Sequence, residues 1–212
     1  MTVAIIDYNA GNIYSVVHAL KRLGVTPVVT DDAAAIRMAD KVLFPGQGEA
    51  RQAMTHLHQR GLDTLIPTLT QPVLGICIGQ QLLCRHSEEG DTAGLGIFDA
   101  EVRRMRPLRH EDKVPHMGWN TIEVPAAPLQ AAVATAAHPA IFDSSILTEG
   151  LETYVYFVHS YAVPLCRHTV AQTTYIEPFS SAMQRDNFYA TQFHPEKSGP
   201  VGQQLLANFL AL

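Results

Sequence analysis

Cys77 lies in the sequence GICIG, between two glycines and directly after an apolar run. The G-x-C-x-G spacing is the thiol counterpart of the G-x-S-x-G elbow, which holds a nucleophile at a strained corner between a strand and a helix. At such a corner the helix dipole favours the thiolate, and the amide of Ile78 points at an oxyanion formed on the attacked carbon. A cysteine among aliphatic residues is usually a small buried hydrophobic residue, so this motif alone leaves both interpretations open.

A nucleophilic cysteine needs a base, and the sequence FHPEKSG offers His194 as the base and Glu196 as a group to orient it. Pro195 restricts His194 to an extended conformation, and an extended H-P-E segment projects His194 and Glu196 to the same side. Glu196 can then hold one imidazole nitrogen while the other faces the sulfur. On its own this segment is more often a solvated turn, and only the fold can bring it to the cysteine.

A glycine loop supplies the third part of the pattern. In FPGQGEA, Gly46 and Gly48 allow backbone amides to approach a ligand closely. The alternative is a simple Pro-Gly turn between a strand and a helix. A phosphate cradle is disfavoured because no G-K-[ST] sequence follows. The three motifs together favour nucleophilic catalysis by Cys77.

The composition limits the class of protein. The chain has 212 residues, a formal net charge of −5 and 47 % hydrophobic residues, which fits one large domain or two small ones with enough core to be stable. The acidic balance argues against nucleic acid or an anionic membrane as the main partner, and no apolar run approaches the length of a membrane span. The first residues lack the basic region of a secretory signal.

The cysteines and histidines indicate neither disulfides nor a metal. Cys77, Cys84 and Cys166 form no C-x-x-C pair, which fits free thiols in a reducing cytoplasm. We expect Cys84 to lie inside the helix that follows the elbow, and both Cys84 and Cys166 to be structural. No pair of histidines has zinc-ligand spacing beside the cysteines, so no metal is assigned.

Strands and helices alternate in the first half of the chain. The predicted strands are TVAIID, TPVVT, KVLF and QPVLGI. The predicted helices are GNIYSVVHALKRLG, DDAAAIRMA, residues 49–60 and IGQQLLCR. This alternation implies a parallel sheet with helices on both faces.

The second half is richer in strand signals. Threonine, tyrosine and valine are concentrated in DAEVRRMR, GWNTIEVP, TYVYFVHSYAVP, HTVAQTTYI and FYATQF, and PVGQQLLANFLAL reads as a closing helix. We therefore expect a single α/β domain over residues 1–212. Its mostly parallel central sheet would be flanked by helices, with an additional antiparallel β portion in the second half.

PGQG, GICIGQQ and HPE, in this order, resemble the triad (class I) glutamine amidotransferases. DYNAGN, KVPHMGWN, YFVHSY and QFHPEKSG further resemble the glutaminase subunits of imidazole glycerol phosphate synthase, an enzyme of histidine biosynthesis. The resemblance covers nearly the whole chain, and the combination is far more specific than any single motif. The loop departs from the family in Gln47 and Glu49, where an aliphatic and a small residue are more usual.

The resemblance implies a set of roles. Cys77 would be the nucleophile, His194 the general base and acid, and Glu196 the orienting carboxylate. The oxyanion donors would be the backbone amides of Gln47, Gly48 and Ile78. Glutamine would be bound by Gly46, Gly48, Gln81, Ser160 and Tyr161. No cofactor is implied.

The resemblance also implies a protein partner. Ammonia would pass to a cyclase subunit, in a heterodimer that makes imidazole glycerol phosphate and an aminoimidazole carboxamide ribonucleotide. The residues near this partner would be Asn12, Met117, Trp119, Asn120 and Tyr156.

Two other classes of function remain to be weighed. The first is a different hydrolase on this fold, either a cysteine peptidase or a glutaminase that serves another ammonia-using synthase. Gln81 and the sequence HMGWN argue against it. The second is a binding subunit without catalytic activity, and the intact set of Cys77, His194 and Glu196 argues against that.

Overall fold

The computed structural model describes residues 1–8, 13–124, 139–142 and 153–212. The strands are β1 (Val3–Ile6), β2 (Val28–Thr30), β3 (Lys41–Gly46), β4 (Val73–Cys77), β5 (Cys84–Ser87), β6 (Thr92–Ala93), β7 (Phe98–Arg104), β8 (His116–Thr121), β9 (Tyr154–His159), β10 (Tyr161–Ala162), β11 (Thr169–Tyr175), β12 (Glu177–Arg185) and β13 (Phe188–Thr191). The helices are α1 (Ile13–Arg22), α2 (Ala33–Met38), α3 (Ala50–Gln59), α4 (Leu62–Leu65), α5 (Ile78–Leu83) and α6 (Gly199–Ala211). Short 3-10 turns span Ile66–Thr68 and Pro195–Lys197.

A mostly parallel sheet forms the centre of the fold. Within the described ranges it has seven strands, in the order β11-β12-β13-β4-β3-β1-β2. The five strands β2, β1, β3, β4 and β13 run parallel to one another. At the edge of the sheet, β12 pairs antiparallel with β13, and β11 pairs antiparallel with β12. The predicted α/β class is confirmed, including the antiparallel portion in the second half. Strand β12 is absent from the sequence-based prediction because EPFSSAMQR mixes small and polar residues that are nevertheless buried from Phe179 to Gln184.

Each face of this sheet packs against its own set of helices. In β1, Ala4 and Ile6 belong to one buried cluster, whereas Val3 and Ile5 belong to the other. The first cluster contains the buried residues of α2 to α5, and the second contains those of α1 and α6. Fully burying one such aliphatic side chain stabilises the fold by about 1.5–3 kcal/mol, so the parallel strands are fixed from both sides.

Two smaller sheets lie beside the main one. Strands β10, β7, β5 and β6 form one of them, and β8 and β9 form an antiparallel ribbon in which Trp119 pairs with Tyr156. The predicted β region TYVYFVHSYAVP forms two strands that are divided at Ser160, because β9 pairs with β8 whereas β10 pairs with β7. None of the helices in the described ranges is long and apolar enough to cross a bilayer.

The position predicted for Cys84 is wrong. Helix α5 ends at Leu83, and Cys84 begins β5. Cys84 is extended, with φ −74° and ψ 169°, and the segment after β6 binds this end of the helix: the Leu95 amide donates to the Leu82 carbonyl at 2.8 Å, and the Gly96 amide donates to the Cys84 carbonyl at 3.1 Å. Cys84 is fully buried there, and this burial raises the pKa of its thiol far above the usual value.

Candidate active site

The three sequence motifs meet at the carboxyl edge of the parallel sheet. Strands β3 and β4 are neighbours, and Gly46 pairs with Cys77 at their ends. Strand β13 lies on the other side of β4 and leads within three residues to His194. Ligands of open parallel sheets bind at this edge, where the strands end and their loops diverge. Here a cavity of about 480 Å³ opens, and Cys77 and His194 both line it.

Cys77 occupies the strained corner that its motif predicts. Its backbone has φ 56° and ψ −107°, a conformation that costs a residue other than glycine on the order of 1–3 kcal/mol. Strand β4 ends at Cys77 and α5 begins at Ile78, so the predicted corner between a strand and a helix is confirmed. The corner is tightly packed, since a Cβ atom at Gly75 would lie 3.0 Å from the backbone of Gly79.

Gly79 shows how tight this packing is. A Cβ atom at this position would lie 1.9 Å from the backbone oxygen of Phe44 in β3. In most helices alanine is more stable than glycine by up to about 1 kcal/mol. The clash involves backbone, which no rotamer change can relieve, so it outweighs that gain.

We therefore expect Gly79→Ala to lower the free energy of unfolding by roughly 1–3 kcal/mol. Urea denaturation of the wild type and the variant measures this change. An unchanged or higher midpoint in the variant would mean that β3 and α5 can move apart without cost.

His194 and Glu196 form a buried pair. The Nδ1 atom of His194 lies 2.8 Å from the Oε1 atom of Glu196, and the two side chains are only 3 % and 2 % exposed. His194 is extended, as Pro195 requires, but Pro195–Lys197 forms a 3-10 turn and not an extended segment. The prediction that an extended segment brings Glu196 to His194 is thus wrong, although the predicted contact between the two side chains is present. The turn is also partly buried, since Pro195 is buried and Glu196 and Lys197 are half-buried, in contrast to the solvated turn that the sequence left open.

The histidine is also held through its backbone. The His194 amide donates to the Tyr156 carbonyl in β9 at 2.9 Å. The Ser198 hydroxyl donates to the His194 carbonyl at 2.6 Å, and the Tyr156 amide donates to the same hydroxyl at 3.0 Å. Ser198 has no signal in the sequence beyond its place after H-P-E. These bonds fix the imidazole relative to the β8–β9 ribbon.

The surroundings of His194 favour its protonated form. Burial alone lowers its pKa, but interactions with Cys77 and Glu196 outweigh desolvation and raise the pKa of His194 well above its usual value. Within the described residues the Nε2 atom has no hydrogen bond of ordinary geometry, and Cys77, whose interaction raises the pKa of His194, lines the same cavity. The pair is therefore arranged for proton exchange between Nε2 and a group bound at Cys77.

Two further groups contact the sulfur. The thiol lies 3.9 Å from the Val158 carbonyl of β9, and the Nε2 atom of Gln192 donates to the sulfur at 3.8 Å. Gln192 is fully buried. Its position in TQFHPE, a polar side chain inside an otherwise buried run, was a signal that the sequence-based prediction did not use.

The predicted glutamine-binding residues divide into two groups. Gly48, Gln81, Ser160 and Tyr161 line the cavity. Gly46 is absent from the lining, because it lies inside β3 beneath Tyr8 and Ile78, where a Cβ atom would be 1.9 Å from the tyrosine hydroxyl oxygen. Direct ligand contact by Gly46 is therefore not supported, and a glycine is needed there for close packing.

The sequence-based prediction missed Glu89. Its side chain lines the cavity, and its Oε2 atom accepts a hydrogen bond from the Ala50 amide, in the first turn of α3, at 2.8 Å. Burial is the main reason that the pKa of Glu89 is raised; the bond from Ala50 lowers it, and nearby Glu49 raises it. The run SEEGD reads as an ordinary polar loop and gives no sign of this position.

The loop predicted to supply oxyanion donors is short and fixed at both ends. Gly46 pairs with Cys77, and the Glu49 carboxylate caps α3 by accepting from the amides of Arg51 and Gln52. Gln47 and Gly48 lie between these points and are exposed. Gly48 has φ +109°, a conformation that favours glycine. The unusual Glu49 therefore has a local role as a helix cap.

The outer surface of the β8–β9 ribbon carries exposed apolar residues. Met117 and Trp119 are 63 % and 55 % exposed, and Trp119 packs edge-on against Tyr156 with ring centroids 6.0 Å apart. We call Met117, Trp119 and Tyr156 the ribbon face. The Asn120 side chain instead bonds towards the inside, to His116 and the Thr174 carbonyl. Asn12, also predicted near the partner, lies outside the described residues.

Tyr156 belongs to both the ribbon face and the cavity lining. The ammonium group of Lys197, another lining residue, lies 5.9 Å from the centre of the Tyr156 ring.

Among the residues that the structure describes, no three His, Cys, Asp or Glu side chains are grouped so as to hold a metal ion.

Comparison with known proteins gives consistent matches. The family described as "Glutamine amidotransferase class-I" matches residues 4–212. The protein named "Imidazole glycerol phosphate synthase subunit HisH" from Bacteroides thetaiotaomicron is 56 % identical over 214 residues, and the match covers 100 % of both chains. The protein of the same name from Yersinia pseudotuberculosis is 46 % identical over 215 residues, again with 100 % coverage of both.

A solved structure shares the architecture. A crystal structure of a glutamine amidotransferase aligns with a TM-score of 0.69 at 18 % identity, covering 100 % of this chain and 98 % of that one. At this identity the match supports the fold alone.

Proposed function

We infer the reaction from the fact that this chain belongs to the class I glutamine amidotransferase family and, within it, to the HisH subunits of imidazole glycerol phosphate synthase. The chain hydrolyses glutamine to glutamate and ammonia for histidine biosynthesis. The observation that carries the mechanism is the buried pair of His194 and Glu196 beside Cys77, at the strained corner of the sheet edge.

The first half of the reaction transfers the glutamyl group to the enzyme. The sulfur of Cys77 attacks the carboxamide carbon of glutamine, and the electrons of the C=O double bond move to the oxygen. The intermediate then collapses, the C–N bond breaks, and the proton on Nε2 of His194 moves to the departing nitrogen. Ammonia and a thioester on Cys77 result. The raised pKa of His194 suits this step because it keeps a proton available.

The second half restores the thiol. Water attacks the thioester carbon while His194, now neutral, accepts a proton from it. The C–S bond breaks, glutamate leaves, and the sulfur and His194 again share one proton. Glu196 stays ionised throughout and holds the imidazole by its Nδ1–H. We assign the oxyanion donors to the amide of Ile78 and to the Gln47–Gly48 loop, both of which line the cavity.

Glu196→Gln tests the orienting role. A glutamine at this position removes the charge that holds the Nδ1–H tautomer, so glutamine hydrolysis should fall by roughly 10- to 1,000-fold, less than on loss of Cys77. Steady-state glutamate release by the complex measures the effect. Glu177→Gln, on an exposed residue far from the pair, is the matched control. Full activity of Glu196→Gln would mean that another group orients His194.

Four lining residues are placed to recognise glutamine. We propose that Gln81, Ser160 and Tyr161 bind the substrate glutamine, since all three line the same cavity as Cys77. Glu89 adds a carboxylate, which suits the α-ammonium group of an amino acid. The residues that flank an internal peptide bond have no free α-ammonium group, so a carboxylate that binds this group favours free glutamine over peptides cleaved at internal bonds.

The partner that we propose is a cyclase subunit seated on the ribbon face. An exposed tryptophan and methionine on one surface are typical of a protein interface. Tyr156 belongs to both this face and the cavity lining, so ammonia released at Cys77 would have a short path to a subunit bound on the ribbon face. The proposed assembly is a heterodimer in which the partner uses that ammonia.

A substrate panel on the purified complex tests the function as a whole. We expect glutamate release from glutamine, much slower release from asparagine and none from peptides, together with glutamine-dependent formation of the cyclised product. Peptide cleavage with no glutamine turnover would instead identify a peptidase.

A further inference from the structure

A continuous series of hydrogen bonds connects the β8–β9 ribbon with the nucleophile. We call it the polar chain, and its members in order are Asn120, His116, His159, the Tyr161 carbonyl, Gln81, Gln192 and Cys77. His116 and His159 are both buried in the ribbon, and neither takes part in the reaction steps above. From the sequence alone, both histidines would be interpreted as structural residues with satisfied hydrogen bonds.

The Tyr161 carbonyl sets the direction of the half that contains the histidines. A carbonyl oxygen can only accept, so the Nδ1 atom of His159, 2.8 Å away, must carry a proton. Burial is the main effect that lowers the pKa of His159 to about 3, so the ring is neutral and its Nε2 atom is an acceptor. His116 must therefore donate from Nδ1 to that Nε2 atom, at 3.1 Å.

Asn120 completes this half at the ribbon. Burial also lowers the pKa of His116, to about 4, so its own Nε2 atom accepts. The Nδ2 atom of Asn120 lies 3.3 Å from that nitrogen and also 3.3 Å from the Thr174 carbonyl, which requires a donor. Every bond from Asn120 to Tyr161 therefore runs in one direction, with a single allowed tautomer for each ring.

The second half runs from the same carbonyl to the sulfur. The Nε2 atom of Gln81 donates to the Tyr161 carbonyl at 3.0 Å, so this oxygen accepts from Gln81 and His159 together. Gln81 also donates to the Oε1 atom of Gln192 at 3.0 Å, which leaves the Gln192 Nε2 atom to face the Cys77 sulfur at 3.8 Å. The orientation of Gln192 is thus fixed by Gln81, and that of Gln81 by the shared carbonyl.

We propose that His116 is a positioning residue for glutamine hydrolysis. It acts through the other side chains of the polar chain and aligns Cys77 with the β8–β9 ribbon. The inference rests on the proposed function, since it concerns the same reaction. It gives the ribbon, on whose outer face the partner would sit, a physical connection to the nucleophile. Each bond in the polar chain has one donor and one acceptor that cannot exchange roles, so a displacement of β8 changes the alignment at the far end.

Two substitutions at residue 116 separate this role from simple packing. His116→Phe keeps an aromatic ring stacked between Tyr175 and Phe157 but removes the donor to His159. His116→Asn loses the ring but places an amide donor close to the position of the histidine Nδ1 atom. A positioning role therefore favours the asparagine variant, whereas a packing role favours the phenylalanine variant.

The measurement is kcat/KM for glutamine in the complex with the cyclase, with ammonia-dependent cyclisation as the check of assembly. We expect His116→Phe to lower kcat/KM by about 10-fold, and His116→Asn to remain within about threefold of the wild type. Tyr175→Phe keeps the ring that stacks on His116 and loses only a hydroxyl bonded to the Lys113 carbonyl, so it is the matched control with wild-type activity.

The opposite order of the two variants, or equal activity in both, would overturn the proposal. A wild-type complex that hydrolyses no glutamine would instead overturn the proposed function, so the two failures are distinct. Nitrogen-15 NMR of the histidine side chains provides an independent readout. It should show His116 and His159 as neutral Nδ1–H tautomers in the wild type, and any other tautomer would also contradict the polar chain.

Discussion

Cys77→Ala should reduce glutamine-dependent synthesis by on the order of 10³-fold or more while leaving cyclase binding intact. In the proposed mechanism the thiol supplies the covalent step, and the members of such a triad act as a unit. Its structural contribution is small, because the only contacts of the sulfur that qualify as hydrogen bonds in the described chain are the weak ones at 3.8 and 3.9 Å. Alanine must adopt the same strained backbone as cysteine, so the corner itself is preserved.

Two controls make this result specific. With ammonium salts in place of glutamine, the complex that contains Cys77→Ala should still form product, because in the proposed assembly the cyclase subunit performs the cyclisation. Cys166→Ala removes a partly buried thiol away from the cavity and should leave glutamine turnover unchanged. Glutamine turnover that survives in Cys77→Ala would end the assignment of the nucleophile.

The isolated subunit should hydrolyse glutamine 10²- to 10³-fold more slowly than the complex with its nucleotide substrate bound. That factor is the usual cost of one missing oxyanion donor. The backbone amide that would supply this donor lies in a single short segment, since Gly46 pairs with β4 and Glu49 caps α3. Only Gln47 and Gly48 lie between them, and rotation of their shared peptide would add or remove a donor without disturbing Cys77, His194 or Glu196.

The energetic requirement on the partner is modest. A ligand of the cyclase must favour the donor-competent orientation by about 3 to 4 kcal/mol to account for the whole effect. Glutamate release should be measured for the isolated subunit, the binary complex and the complex with nucleotide substrate or an analogue. Equal rates in all three states would exclude the switch and leave the catalytic triad unaffected.

The fold and the meeting of Cys77, His194 and Glu196 at one edge of the sheet could be predicted from the sequence because local patterns determine them. Apolar runs alternating with amphipathic helices specify a parallel sheet, and in such a sheet the ends of neighbouring strands must meet. Cys77 and the loop at Gly46 end two adjacent strands, β4 and β3. The proline after His194 restricts the histidine backbone whatever the conformation of the next residues. The contact with Glu196 was therefore predicted correctly, although the segment is a 3-10 turn and not extended.

Other parts of the site depend on long-range packing and could not be predicted. Glu89 reaches the cavity only because its carboxylate caps the distant helix α3. Gln192 is buried and polar, and its partner Gln81 lies more than a hundred residues away in the chain. Strand β12 lacks the expected alternation because both of its faces are covered. In each case the local sequence does not specify which groups the side chains contact, and the tertiary packing decides.

The most direct test of the central claim is to identify the covalent intermediate on Cys77. The complex, loaded with its nucleotide substrate, would be mixed with glutamine, quenched in acid within a single turnover, and digested for mass spectrometry. We predict one added glutamyl group, located on Cys77 and absent from Cys84, which is buried in β5 and lies on the same tryptic peptide. Glutamine turnover without an acyl group on Cys77, or with the group on Cys84, would contradict the mechanism.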